Sequence, residues 1–94
     1  MGRGSREKPK RLGKKLLQIR NARELSQDGM ARLLAARSKL TRNDISKYER
    51  DVREPSLLVL LRYARVAGVS VDELLDDDLE LPKKLGQSRS QKRR

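Results

Sequence analysis

An all-α domain of five short helices is the fold class that this sequence predicts, and three observations predict it. Between residues 12 and 75 apolar side chains recur at three- and four-residue steps, the spacing of one helical face. No stretch alternates apolar and polar residues for a useful strand length. The three prolines, Pro9, Pro55 and Pro82, each stand where a helix can start or stop. With 94 residues, 35% hydrophobic and 2% aromatic, the chain makes one compact domain with a small core of Leu, Val, Ile, Ala and Met. That domain is expected over residues 9–81, between a basic arm at 1–8 and a basic tail at 82–94. Both ends combine Gly, Ser and charge with little apolar spacing, so both are expected to be disordered.

The first helix is expected over about residues 9–23, burying Leu12, Leu16, Ile19 and Ala22, with Leu25 closing the turn. The second begins behind Ser26, whose hydroxyl can accept from the amide at position 28 or 29, with Asp28 at the positive end of the helix dipole. Met30, Ala31 and Leu34 form its buried stripe, and the short Ala31 suits a close helix crossing. Residues 35–39 fit either an extension of this helix or a loop. The third helix starts at Thr41, a second capping residue, and runs to about Arg50. Pro55 opens the fourth, with Leu57, Leu60, Leu61, Ala64 and Ala67 inward and Gly68 as terminator. A short fifth helix, about residues 71–75, follows the cap Ser70 with Asp72 and Glu73 in its first turn.

Charge is distributed unevenly. Residues 1–71 are net +11, residues 72–80 net −6 and residues 81–94 net +6. A pI near 10.7 favours polyanionic partners, because each Lys or Arg set on a phosphate releases condensed counterions. Nucleic acid leads, and an anionic membrane surface is disfavoured because the basic first helix has an apolar stripe of only core width. No apolar run approaches the ~20 residues of a bilayer span, so a cytoplasmic, nucleoid-associated protein is expected. The absence of Cys and His excludes zinc fingers and thiol or imidazole catalysis. The acidic run Asp72, Glu73, Asp76, Asp77, Asp78 and Glu80 lacks the glycine-bearing loop of a calcium site and reads as a solvated helix end. Neither metal nor cofactor is expected, and no catalytic constellation is present, so the chain is not read as an enzyme.

The third helix is the informative one. Its apolar face consists of Ile45 and Tyr48 alone, leaving Arg42, Asn43, Ser46 and Lys47 on the outer side. An isolated helix of this kind would be an ordinary solvated face, but its side chains also match base edges. Arg offers two parallel donors to O6 and N7 of guanine, and Asn pairs with N6 and N7 of adenine. RNA binding is disfavoured, since the only aromatics, Tyr48 and Tyr63, fall at core positions.

The run from Leu12 to Gln27 (LGKKLLQIRNARELSQ), Ile45 to Arg50 (ISKYER), Pro55-Ser56-Leu57 and Ala67 to Leu75 (AGVSVDELL) resembles the Cro/C1-type, or xenobiotic response element, helix-turn-helix family. The resemblance covers about residues 12–75 and implies a lambda-repressor-like domain that binds operator DNA, usually as a two-fold dimer and often as a repressor. It implies base reading by Arg42, Asn43, Ser46 and Lys47, and phosphate contacts by Gln27, Thr41, Arg50 and Arg53. It also implies a partly buried ion pair, Arg20 with Glu49, that fixes the angle of the third helix. Two departures stand out. About four extra residues lie between Leu34 and Leu40, and Asp51 replaces the usual glycine after the third helix, a position favouring left-handed backbone angles.

Leu58 and Val59 lie beside the expected buried stripe and need a second surface to cover them. Either they join Leu75 or Leu79 in a homodimer contact, or residues 79–85 fold back over them within one chain. The basic ends could pass for nuclear addresses, but they read better as arms along phosphates or in a minor groove. The expected partner is therefore double-stranded DNA, bound by a homodimer. The competing reading is an antitoxin-type protein that binds both its operator and a toxin, a protein partner that could use the tail.

Overall fold

The computed structural model describes residues 8–35, 39–83 and 85, and its helices follow the expected order. They are α1 (Leu12–Ala22), α2 (Gln27–Ala35), α3 (Arg42–Glu49), α4 (Leu57–Ala67) and α5 (Val71–Leu75). Among the described residues there is no strand, and no helix is long and apolar enough to cross a membrane. The fold class is thus the expected all-α, five-helix domain. Residues 1–7 of the arm expected at 1–8, residues 84 and 86–94 of the tail expected at 82–94, and residues 36–38 of the insertion lie outside the described residues. Within the insertion, α2 continues to Ala35.

One core joins all five helices. It contains Leu12, Leu16 and Ile19 from α1, Met30, Ala31 and Leu34 from α2, and Ile45 and Tyr48 from α3. From α4 and α5 come Val59, Leu60, Tyr63, Ala64, Ala67 and Leu74. The chain then returns, placing Leu81 and Leu85 in the same cluster, so packing extends past the boundary expected at residue 81. The α2–α3 and α1–α3 interfaces are the most extensive, which holds α3 from two sides.

Three expectations need correction. The first helix starts at Leu12, not at Pro9, because its N-terminal approach is tied down elsewhere: the Asp77 carboxylate accepts from the Lys10 and Arg11 amides at 2.9 and 3.0 Å. Ala22, expected inside, is exposed at the last turn of α1. The fourth helix is shifted in phase. Ser56 caps it by accepting from the Val59 amide at 3.2 Å, so Pro55 precedes the helix. Consequently Leu57 is 80% exposed and Val59 only 5%, the reverse of their expected places. The buried stripe runs through Val59, Leu60, Tyr63, Ala64 and Ala67, with the bulk of Tyr63 at its centre.

Three helices end in the same device, a left-handed residue whose own amide and the next one return to the last turn. Glu24 (φ 57°), Asp51 (φ 60°) and Gly68 (φ 73°) occupy that position in α1, α3 and α4. Around Asp51 the Val52 amide reaches the Lys47 carbonyl at 2.9 Å and the Asp51 amide reaches Tyr48 at 3.2 Å. The residue that replaces the family's glycine therefore adopts the glycine conformation.

Candidate nucleic-acid interface

Helix α3 is fixed at both ends. At its start Thr41 has extended backbone, its hydroxyl accepts from the Asp44 amide at 3.4 Å, and the Thr41 amide donates to Asp44 Oδ2 at 2.9 Å. This reciprocal cap also pulls the Asp44 carboxyl below the usual carboxylate range, chiefly through the Thr41 amide bond. At the other end, the Asp51 carboxylate accepts from the Gly13 amide at 3.0 Å, tying the turn after α3 to the first turn of α1. Gly13 has no room for a side chain, since a Cβ there would lie 2.7 Å from the Glu49 carbonyl oxygen.

Between these fixed ends the helix presents a polar side. Ile45 and Tyr48 are buried, Arg42 and Asn43 are exposed, and Ser46 and Lys47 are half-buried. The four expected base-reading residues thus share α3, and the expected Thr41 stands at its N-terminus. Arg50 and Arg53 follow in the exposed turn, and both bend back onto α3. Arg50 Nε donates to Ser46 Oγ at 3.1 Å, and Arg53 Nη1 pairs with Asp44 Oδ1 at 2.8 Å.

The expected ion pair is present with two parallel contacts. Arg20 Nε and Nη2 donate to Glu49 Oε2 and Oε1 at 2.7 and 3.1 Å, and the side chains are only 16% and 5% exposed. Arg20 also donates to the Leu25 carbonyl at 2.9 Å, and the Gln27 amide donates to Glu49 Oε1 at 3.1 Å. One carboxylate at the end of α3 therefore gathers α1 and the first residue of α2, and Arg20 extends the cluster to the turn between them. The bond to Glu49 raises the Arg20 guanidinium above its usual range, against the opposing effect of burial. A paired charge so little exposed is costly to break, because the partner is left buried without compensation.

Of the expected dimer residues, Leu58 is 63% exposed and Leu75 and Leu79 are 36% and 39% exposed, whereas Val59 belongs to the core. The return of Leu81 and Leu85 into the core leaves Leu58 uncovered. Leu57, which sequence reasoning placed inside, adds to the exposed apolar surface at the start of α4.

Several structural anchors of the site were missed from the sequence. Asp44, which completes a reciprocal cap with the expected Thr41, carries a readable signal, the Thr-x-x-acid pattern. Lys15 carries none. It is 1% exposed, and its ammonium donates to the carbonyls of Glu73 and Asp76 at 2.7 and 2.8 Å, closing the C-terminus of α5. Nor does the acidic run serve only as a solvated end: beyond its two amide bonds, Asp77 receives the Arg11 guanidinium on its carbonyl, and Glu80 pairs with Arg11 at 2.9 Å.

Comparison with known proteins agrees with this geometry. The family model described as Helix-turn-helix matches residues 16–74. No curated protein matches the sequence. Among solved structures, the P22 c2 repressor in complex with synthetic operator 9T is similar with a TM-score of 0.62 at 24% identity, over 71% of this chain and 96% of that one. The SinR–SinI complex is similar with a TM-score of 0.61 at 26% identity, over 71% of this chain and 62% of that one. SinR, described as the master regulator for biofilm formation and crystallised with DNA, is similar with a TM-score of 0.58 at 27% identity, over 69% of this chain and 98% of that one. With the family match spanning well over half the sequence and all five helices in family order, the chain belongs to the Cro/C1-type helix-turn-helix family.

Proposed function

We propose that this protein is a sequence-specific double-stranded DNA-binding transcriptional regulator, acting as a repressor on a near-palindromic operator. The observation that carries the reading is α3 itself: a helix with two buried side chains, capped at one end and tied to α1 at the other, offering Arg42, Asn43, Ser46 and Lys47 to solvent. Such a helix suits the major groove, where Arg42 and Lys47 address guanine O6 and N7, Asn43 addresses adenine, and Ser46 accepts or donates. Gln27, Thr41, Arg50 and Arg53 supply phosphate contacts that set register without choosing sequence. The Arg20–Glu49–Gln27 cluster keeps the helix at one angle. Relatives solved with operator or DNA support the reading. Catalysis has no place in it, and it puts the protein in the cytoplasm with the nucleoid.

The working unit in this reading is a homodimer in which a second copy covers Leu58 and Leu57, with Leu75 and Leu79 at its margin. Two-fold symmetry then places two α3 helices about one DNA turn apart, roughly 34 Å. The SinR–SinI complex keeps a second partner in view, and an antitoxin-type protein would bind its operator with this domain and a toxin with a second surface such as the tail.

Selection of sites from random double-stranded DNA, followed by titration against salt, tests the proposal. A near-palindromic consensus with half-sites one turn apart supports it. Strong salt-dependent binding without a consensus would replace it with a sequence-independent DNA-coating role.

A further inference from the structure

We infer that Asp44 restrains the grip of this domain on DNA, by holding Arg53 against α3 and by setting a negative charge beside the reading residues. The inference rests on the DNA-binding reading above and adds to it a residue that works against binding.

Asp44 sits in the first turn of α3, next to Asn43. Its carboxylate is held from both ends of the helix: Oδ2 accepts from the Thr41 amide at 2.9 Å and lies 3.2 Å from the Thr41 hydroxyl, while Oδ1 pairs with Arg53 at 2.8 Å. The Thr41 amide lowers the carboxyl below its ordinary range, so the group carries its charge at neutral pH as an unperturbed aspartate also does. Arg53 is half-exposed, so its guanidinium lies on the surface but is already partnered. Arg50 is engaged in the same way by Ser46. Both arginines assigned to phosphate are thus bonded to the reading helix before any DNA arrives.

Two effects oppose each other when the charge of Asp44 is removed. Arg53 loses an anchor that orients it, which weakens a phosphate contact. The reading helix also loses a negative charge facing a polyanion, and Arg53, left with the neutral Tyr48 hydroxyl as a partner, has its charge available to phosphate, which both strengthen binding. The anchor is a surface ion pair, and such pairs hold their partners weakly. A formal charge against the DNA backbone, by contrast, acts on several phosphates at once. The charge effect therefore dominates, and neutralising Asp44 tightens binding. Because phosphate contacts carry no sequence information, operator and random duplex gain alike.

The test uses the full chain, with affinities for its selected operator and for a random duplex measured over a series of salt concentrations. Asp44→Asn is expected to raise both affinities about three- to tenfold near 0.15 M salt and to steepen the salt slope by about one. The base preference stays as it was. Asp44→Glu, which keeps the charge and is itself favoured in a reciprocal cap, should bind as the parent does. In an Arg53→Ala background the steeper slope from Asp44→Asn should shrink. Should Asp44→Asn lose helical structure, Asp44→Gln substitutes for it, since glutamine also closes such a cap. Neutral variants that fold yet bind no tighter, or bind more weakly, overturn the inference and leave Asp44 as a cap that presents Arg53 to phosphate. A parent chain with no salt-dependent binding to any duplex overturns the DNA-binding reading itself, and this inference with it.

Discussion

Tyr63 shows how a single side chain can both build this core and weaken it. Its ring is fully buried, and its hydroxyl is the one buried side-chain polar atom among the described residues that lacks a hydrogen-bond partner. Burying the ring contributes about 1.5–3 kcal/mol, while an orphaned buried hydroxyl costs about 1–3 kcal/mol. Tyr63→Phe keeps the first and removes the second. Chemical denaturation should show the variant more stable by about 1 kcal/mol, and a loss of stability would reveal a partner for the hydroxyl. Burial, aided by the Glu49 charge, also pushes the Tyr63 phenol far above its usual value. A raised folded-state value means that the stabilisation is complete below the unfolded tyrosine value of about 10 and is lost as pH rises towards the folded one. Tyr63→Phe should therefore lessen the alkaline loss of stability. A remainder is expected from Tyr48, which burial raises as well.

Helix ends, more than helix middles, decide what this chain revealed in advance. Gly13 illustrates the difference. Replacing glycine by alanine inside a helix ordinarily gains about 1 kcal/mol. Here the new Cβ would meet backbone at 2.7 Å and the Asp51 carboxylate at 2.8 Å, so the turn after α3 must move. Overpacking of that kind costs about 1–3 kcal/mol, which outweighs the propensity gain. Gly13→Ala should melt at a lower temperature and bind DNA more weakly, and a stabilised variant would mean that the α1–α3 contact is loose. The contact was hidden from the sequence because Gly13 and Asp51 are 38 positions apart. The caps at Ser26, Thr41 and Ser70 were legible because each bond spans three residues. Glu24 at a left-handed position had no signal, since glutamate is not a residue that favours it. The phase of α4 turned on whether Pro55 or Ser56 begins the helix, and apolar residues at 57 to 61 fitted both choices. Asp77 belongs with the hidden contacts, 66 and 67 positions from the amides it receives. Those amide bonds hold its carboxyl below the usual range, as the Thr41 amide holds that of Asp44. A depressed folded-state value gives stability that is full above the unfolded value of about 3.9 and is lost as pH falls through the folded one. An acid melt of Asp77→Asn should accordingly be shallower than that of the parent, and an identical melt would show that the amide bonds are not kept in solution.

At the scale of the whole molecule, the arrangement divides what the domain does alone from what the proposed homodimer would add. The core is complete within one chain, including the return of Leu81 and Leu85. The start of α4 is not: Leu57 and Leu58 remain 80% and 63% exposed while their neighbour Val59 is 5% exposed. Adjacent residues thus separate folding from the proposed assembly. Val59→Glu buries a charge without a partner and should unfold the domain at any protein concentration. Leu58→Glu removes nothing from the core, so its helical content and the denaturation of its monomer should match the parent. Sedimentation should nevertheless show only monomers, and operator binding should fall towards that of a single half-site. In the proposed homodimer the contact between copies makes the second α3 engagement intramolecular, so losing it should remove that gain without touching a residue assigned to DNA. A Leu58→Glu chain that still sediments as a dimer would move the assembly surface to Leu75 and Leu79. One that is monomeric yet binds operator as tightly as the parent would show that each domain reads its half-site alone.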